Sequence, residues 1–253
     1  MYANFHTHTY LCRHASGEPE EYVKTAIKNG LKVLGFSDHV PYPFTNGYHS
    51  GFRMEVSETP LYVNMIAELK NKYKDQIKIY IGYEAEYYPE FFDKMVENIK
   101  GCDYIILGQH CTFNEYDGVG SGAPTDDKSV FIQYVNQVCE AVDTGKFTYV
   151  AHPDLIGYRG DTDFYREYMT KLCMHMKEKD IPLEINLLGL SENRPYPYEE
   201  FWKIASKCGN KAILGCDAHE PKMTGNKKLE ALGRKYADKF GIELLEDTKF
   251  RKV

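Results

Sequence analysis

Short apolar runs rich in β-branched and aromatic residues alternate along the chain with longer segments in which apolar residues recur every three to four positions. The short runs Tyr2–Thr9, Lys32–Ser37, Ile77–Gly82, Asp103–Gly108, Phe147–Ala151, Pro182–Ile185 and Lys211–Gly215 predict strands. Between and after them, Glu18–Asn29, Glu58–Tyr73, Glu90–Ile99, Lys128–Thr144, Asp163–Lys179, Tyr198–Cys208 and Lys227–Phe240 predict helices, and a short run Ile242–Leu245 closes the chain. The first helix carries its own punctuation, with Ser16 as the expected cap, acids in its first turn and Gly30 past its end. Seven successive β-α units predict an α/β fold with a parallel sheet closed into a distorted (β/α)7 barrel like a TIM barrel. An open doubly wound sheet is the other architecture that such alternation allows, but no Gly-x-Gly-x-x-Gly follows the first strand. In a barrel of this kind the loops after the strands gather on one face, where active sites are built. Two of those loops are long, Val40–Val56 and Thr112–Asp127. The second reads either as a lid over the site or simply as a long loop.

Composition narrows the class without changing the architecture. The 253 residues suit one barrel domain spanning 1–253, with no low-complexity segment or Ser/Gly linker to divide it. A net charge of −6, spread along the chain, argues against general nucleic-acid binding, which needs a basic footprint. It leaves room for a small anionic substrate, whose local field is set by metals and nearby arginines. Seven cysteines, widely spaced and without Cys-x-x-Cys, suit a reducing cytoplasm rather than a disulfide framework. No signal-like segment opens the chain, and no apolar run reaches the roughly 18–20 residues of a membrane span, so a cytoplasmic protein is expected.

The candidate chemistry sits where the strands end. His6 and His8 are two apart, a spacing that puts both imidazoles on one face of a strand and lets them share one metal ion. His14 follows the same strand, His39 ends the second, Glu84 the third, His110 the fourth and His152 the fifth, while Asp217 and His219 follow the seventh. Seven of the nine histidines thus fall on the expected catalytic face, with only His49 and His175 elsewhere. Glu86 competes with Glu84 on the same face, and Glu84 is preferred as nearer the strand end. Nine nitrogen and carboxylate donors exceed what one or two ions of low coordination number can use. Three ions, with a carboxylate or two bridging, accommodate them, and the absence of thiolates leaves zinc, iron and manganese open. Cys111 and Cys216 adjoin ligands but alternate away from them.

His6-x-His8, His14, Ser37-Asp38-His39, Gly82-Tyr83-Glu84, His110, His152-Pro153 and Asp217-x-His219 together resemble the polymerase-and-histidinol-phosphatase (PHP) superfamily, with all nine ligand positions filled. The resemblance implies a trinuclear site. His6, His8, Glu84 and Asp217 would hold one ion, Glu84, His110 and His152 a second, and His14, His39 and His219 the third. Within the superfamily, the Gly35–Tyr42 run, the strand end Glu184-Ile185-Asn186 and the length resemble the stand-alone histidinol-phosphatases. That group's activity would be hydrolysis of L-histidinol phosphate, a late step of histidine biosynthesis, by a metal-activated hydroxide, with Glu84, Asp217 and His219 nearest the chemistry. Arg159 and Arg194 follow strand ends and are expected to bind phosphate through their planar forks. Asn186 is placed on the substrate side with them, and Asp38 either orients His39 or meets the substrate amine. Other readings keep the metals and change the substrate to phosphotyrosine or a nucleic-acid phosphodiester, or retain the barrel as a non-catalytic metal-binding module.

Overall fold

The computed structural model describes residues 1–253. Eight strands, all parallel, follow one another in simple order: β1 (Ala3–Asn4), β2 (Val33–His39), β3 (Lys78–Ala85), β4 (Tyr104–Leu107), β5 (Phe147–Val150), β6 (Leu183–Asn186), β7 (Lys211–Gly215) and β8 (Glu243–Leu245). Eight α-helices lie between them: α1 (Pro19–Asn29), α2 (Thr59–Lys72), α3 (Phe92–Asn98), α4 (Lys128–Asp143), α5 (Thr162–Glu178), α6 (Leu187–Glu192), α7 (Glu199–Cys208) and α8 (Lys227–Phe240). Side chains alternate along the strands, so Leu34, Phe36, Ile105, Leu107, Leu183, Ile185, Ala212 and Leu214 meet the helices in one large core. The opposite set, Ala3, Phe5, Val33, Tyr104, Ile106, Tyr149, Ala151 and Ile213, fills the lumen.

The seven-stranded barrel closes at one rim only. Past β1, His8 N–H donates to Ala218 O and Ala218 N–H to His6 O, joining the first strand's continuation to the chain after β7. At the other end, β7 pairs instead with β8, an eighth strand that lies outside the seven β-α units. Beyond β8 the chain turns under the barrel, where Phe250 stacks on Tyr104 (ring centroids 4.7 Å apart) and meets Tyr80 and Phe5 edge-on. The lumen is therefore apolar at its floor and polar at the rim where the strands end.

Two local expectations need correction, and the structure adds one helix that the sequence pattern does not predict. The first strand is ladder-paired only over Ala3–Asn4, not to Thr9, because Phe5 and His6 both turn inward and break the alternation. The Asn4 side chain takes over the missing pairing, accepting from Cys216 N–H and donating to His6 O and to Thr7 Oγ1. The cap of α1 is Glu18, not Ser16; Glu18 and Glu21 satisfy each other's backbone N–H in a capping box, and Pro19 opens the helix. The chain after Asn186 is helical, α6, with the Asn186 side chain capping it by accepting from Gly189 N–H.

Candidate metal centre

At the closed rim, side chains from six strand ends converge on two carboxylates. Glu84 leaves the end of β3 inward, opposite Gly108 just past β4, where any Cβ would collide with its carboxylate. Its Oε2 lies 3.4 Å from His6 Nε2, 3.5 Å from His8 Nε2 and 3.2 Å from His39 Nδ1. Its Oε1 lies 2.8 Å from His152 Nε2 and 3.5 Å from His110 Nε2. Asp217 supplies the second focus, with Oδ1 3.4 Å from His6 Nε2, 3.2 Å from His8 Nε2 and 3.3 Å from His219 Nδ1. His14 joins from the turn after β1, its ring stacked on His219 at 4.6 Å and 5.5 Å from that of His39. His152 and Asp217 reach the cluster through left-handed backbone, φ 29° and 47°, at the ends of β5 and β7, a conformation that costs non-glycine residues energy and re-aims the side chain.

The cluster is charged and under-bonded. Except for His14, His110 and His219, which keep more exposure, these residues are buried. Yet His6 Nε2, both ring nitrogens of His8, His39 Nδ1, His152 Nδ1 and His219 Nε2 have no hydrogen-bond partner. Burial by itself would push the Glu84 carboxyl up, but the charges of His110 and His6 and the hydrogen bond of His152 overcome this and hold it well below the usual range. Burial is likewise outweighed at Asp217 by His6, His8 and His219, and its pKa is also well below the ordinary value. Burial holds His39 well below its ordinary pKa against the pull of Glu84, so it presents a neutral ring. Charged carboxylates beside unpartnered imidazole nitrogens form a donor set suited to cations with N/O preference. Groups of three such donors lie within 4.8 Å of one another, among them His6, His8 and Glu84; His6, His152 and Asp217; and His8, His39 and His219.

Two ligand candidates are oriented from behind by acids for which the sequence pattern predicts no such role. Glu184, buried in β6, accepts from His6 Nδ1 at 2.7 Å and from His152 N–H at 3.0 Å. Glu86 accepts from His110 Nδ1 at 2.9 Å. A carboxylate on the far nitrogen fixes the tautomer that leaves the near one free for a metal. The signal for both is a buried acid two residues from a functional one: Glu184 before Asn186, and Glu86 after Glu84.

The expected substrate residues are spread more widely. Arg194 lines the same cleft of about 420 Å³ as His14, His39, Glu84, His110, His152, Asp217 and His219. Its guanidinium is tied to Glu192 at 2.7 Å and donates to Tyr196 Oη. Arg159 is exposed and lines a neighbouring cavity with Asp154, Tyr158, Tyr165 and Tyr198; Gly122 borders both cavities. Asp38, buried, accepts from Thr9 N–H, Thr9 Oγ1 and His39 N–H, with its Oδ1 3.5 Å from His8 Nδ1. Asn186, buried, donates to Glu184 and Asp217 besides capping α6. Cys216 packs into the core away from the cluster. No helix is long and apolar enough to cross a membrane.

Comparison with known proteins agrees with this architecture. A "Probable histidinol-phosphatase" of Deinococcus radiodurans is 28% identical over 236 residues, covering 90% of each chain. The histidinol-phosphatase of Lactococcus lactis is 24% identical over 230 residues, 85% of this chain and 83% of that one. The crystal structure of histidinol phosphate phosphatase from Lactococcus lactis, complexed with zinc, L-histidinol and phosphate, superposes with a TM-score of 0.73 over 98% of both chains at 21% identity. The PHP domain family matches residues 4–187, from β1 to the start of α6, and Asp217 and His219 join the same cluster from beyond that match. The chain belongs to the PHP domain family.

Proposed function

We propose that this chain is a metal-dependent phosphatase that hydrolyses L-histidinol phosphate to L-histidinol and phosphate, with three cations held by His6, His8, His14, His39, Glu84, His110, His152, Asp217 and His219. The observation that carries the metal-dependent part is Glu84, whose two carboxylate oxygens face separate sets of imidazoles, most of them with an unpartnered nitrogen, inside an open cleft. Bound there, zinc, iron or manganese ions would lower the pKa of water for attack and neutralise phosphoryl charge. The histidinol phosphate specificity draws its support from relatives bearing that activity in their names, at 24% and 28% identity over most of the chain.

The chain's own residues have defined tasks in this reading. Glu184 and Glu86 hold His6 and His110 with the cleft-side nitrogen free. Arg194, already on the cleft wall, pairs with a phosphoryl oxygen by exchanging Glu192 for the substrate. Arg159 swings from the adjoining cavity to the same group. Asp38 steadies His8 and His39, and Asn186 keeps Asp217 and Glu184 in register. The deciding experiment measures bound metals by elemental analysis alongside initial rates on L-histidinol phosphate, phosphotyrosine and a nucleotide phosphodiester. A preference for histidinol phosphate that EDTA abolishes is expected, with Arg194→Ala raising KM while leaving metal content intact. Full activity after chelation would refute the metal mechanism; a preference for either other substrate would replace the specificity.

A further inference from the structure

Outside the ligand set, the most elaborate buried polar structure surrounds Arg53, in the loop that follows β2. This side chain is 2% exposed, yet every donor direction of its guanidinium is engaged. Nη1 and Nη2 grip the two oxygens of Glu86 at 3.2 and 3.0 Å, Nε and Nη2 meet Glu115 Oε2 at 2.8 and 2.7 Å, and Nη1 also reaches Val40 O at 2.8 Å. Glu115 belongs to the long loop after β4, and its other oxygen accepts from Tyr48 Oη at 3.1 Å. The guanidinium also lies over the ring of Phe52, 4.4 Å from its centroid, and Phe52 is edge-on to His39 at 5.3 Å on the wall of the metal cleft. Around this fork, Phe44 and Tyr48 pack on Tyr116 at 5.6 and 5.8 Å, joining the same two loops apolar face to apolar face.

We propose that Arg53 is a positioning residue for the ion bound at His110, and that it couples that ion to the order of the 40–56 and 112–127 loops. The inference rests on the metal centre proposed above. Its logic is geometric. A two-pronged donor demands that both Glu86 oxygens act as acceptors, so the Oε1 shared with His110 Nδ1 meets only donors and His110 keeps Nε2 free toward Glu84. Because the same guanidinium ties the two loops together, loosening either loop releases Glu86. By linkage, filling the His110 site must in turn tighten both loops. The 112–127 loop is therefore a wall clasped to its neighbour rather than a lid free to open.

The test compares the native chain with Arg53→Lys, which keeps the charge but loses the fork, and with Glu115→Gln, which weakens the clasp at its end away from His110. Zinc affinity and stoichiometry are read by calorimetry and elemental analysis, and hydrogen exchange of residues 40–56 and 112–127 is followed with and without zinc. In the native chain zinc slows exchange in both loops. Arg53→Lys is expected to weaken one zinc site about 10–100-fold and to abolish the zinc-dependent protection, while the remaining sites bind as before. Glu115→Gln is expected to act in the same direction by a smaller factor and serves where Arg53→Lys does not fold. Native zinc affinity in Arg53→Lys, or in Glu115→Gln if that is the folded variant, would leave the clasp a purely structural feature and overturn the proposal. A native chain that takes up no zinc would overturn both this inference and the metal centre beneath it.

Discussion

Replacing Glu184 by Gln changes one atom of a buried side chain, and the structure dictates an outcome. Glu184 Oε1 accepts from His6 Nδ1 at 2.7 Å, while Oε2 accepts from His152 N–H at 3.0 Å and Asn186 Nδ2 at 2.9 Å. Three donors point at two oxygens. A glutamine has one oxygen and one NH2, so its nitrogen must face a donor on one side. If the amide nitrogen faces His152 and Asn186, two buried donors lose their acceptor at a cost of about 1–3 kcal/mol each. If it faces His6, the imidazole relieves the conflict by moving its proton from Nδ1 to Nε2, which leaves the fold nearly intact. The second arrangement is cheaper for the protein and ruinous for the site, because Nε2 is the nitrogen 3.4 Å from both Glu84 and Asp217. The expected result is a folded variant whose melting temperature without metal stays near native and whose zinc affinity at the His6 site falls about 10–100-fold, or roughly 1.4–2.8 kcal/mol. Zinc calorimetry beside a thermal melt measures both quantities. Native zinc affinity in the Gln variant would refute the tautomer argument, and a collapse of stability with native affinity per folded molecule would show that the amide had turned the other way.

Three further outcomes follow from other parts of the molecule. Phe250→Ala removes the half-buried ring that stops the lumen against Phe5, Tyr80 and Tyr104. A loss of about 2 kcal/mol, or roughly 4–8 °C in melting temperature for a chain of this size, is expected with kcat unchanged. A fall in kcat at native stability would contradict the separation of floor from rim. Gly108→Ala places a methyl against the Glu84 carboxylate, whereas Gly51→Ala meets nothing within 4 Å. The first should lose zinc and the second should not, and equal metal content would argue against the crowded pose of Glu84. A hydrogen bond with Cys173, against a smaller opposing push from burial, brings the Cys208 thiol down to about 7, while burial lifts Cys12, Cys102, Cys111, Cys139 and Cys216 to about 12. Thiolate forms as pH rises through the pKa, so iodoacetamide should label Cys208 first, at half its maximal rate near pH 7, as read by mass spectrometry. Uniform labelling of all seven cysteines would contradict this.

The parts legible in the sequence share one property: they are decided locally. The last helix, Lys227–Phe240, is found with the predicted bounds because Asn226 caps its start and Gly241, at φ 65°, ends it. His39 and Glu84 stand out because each closes an apolar run of alternating residues, and the barrel fixes what such a position faces. The role of Glu184 is illegible for the opposite reason. In sequence it is one acid in a short strand, and its partner His6 is 178 positions away. Arg53 is less visible still, a single cation in a loop whose two acids come from the end of β3 and from the loop after β4. The short first strand and the cap at Glu18 were missed through side chains replacing backbone partners, Asn4 in one case and Glu21 in the other. Amphipathic patterning carries no record of such exchanges.

The site departs from the rule that governs the rest of the fold, and the departure has a direction. Everywhere below the rim, inward positions are apolar or small, as at Val33, Ile106 and Ile213, with Gly35 and Gly82 making room for Tyr104. Four residues past Ile106 and Ile213, and two past Gly82, the inward positions become His110, Asp217 and Glu84, and six ring nitrogens around them are left without partners. Each buried unpartnered polar atom costs about 1–3 kcal/mol, so six amount to a deficit comparable to the whole stability of a typical domain, about 5–15 kcal/mol. Other buried polar atoms without a partner, such as Tyr83 Oη, Ser121 Oγ and Asn210 Oδ1, belong to single side chains, whereas these six nitrogens crowd around two carboxylates. For the nitrogens that face Glu84 and Asp217, the deficit is removed in one step by ligands that accept lone pairs from nitrogen and bring positive charge to those carboxylates. Cations meet both requirements; further hydrogen-bond donors would answer the lone pairs but leave two crowded negative charges uncompensated. The imbalance is thus the structural signature of the metals, and the apolar floor plugged by Phe250 helps the chain carry it until they bind.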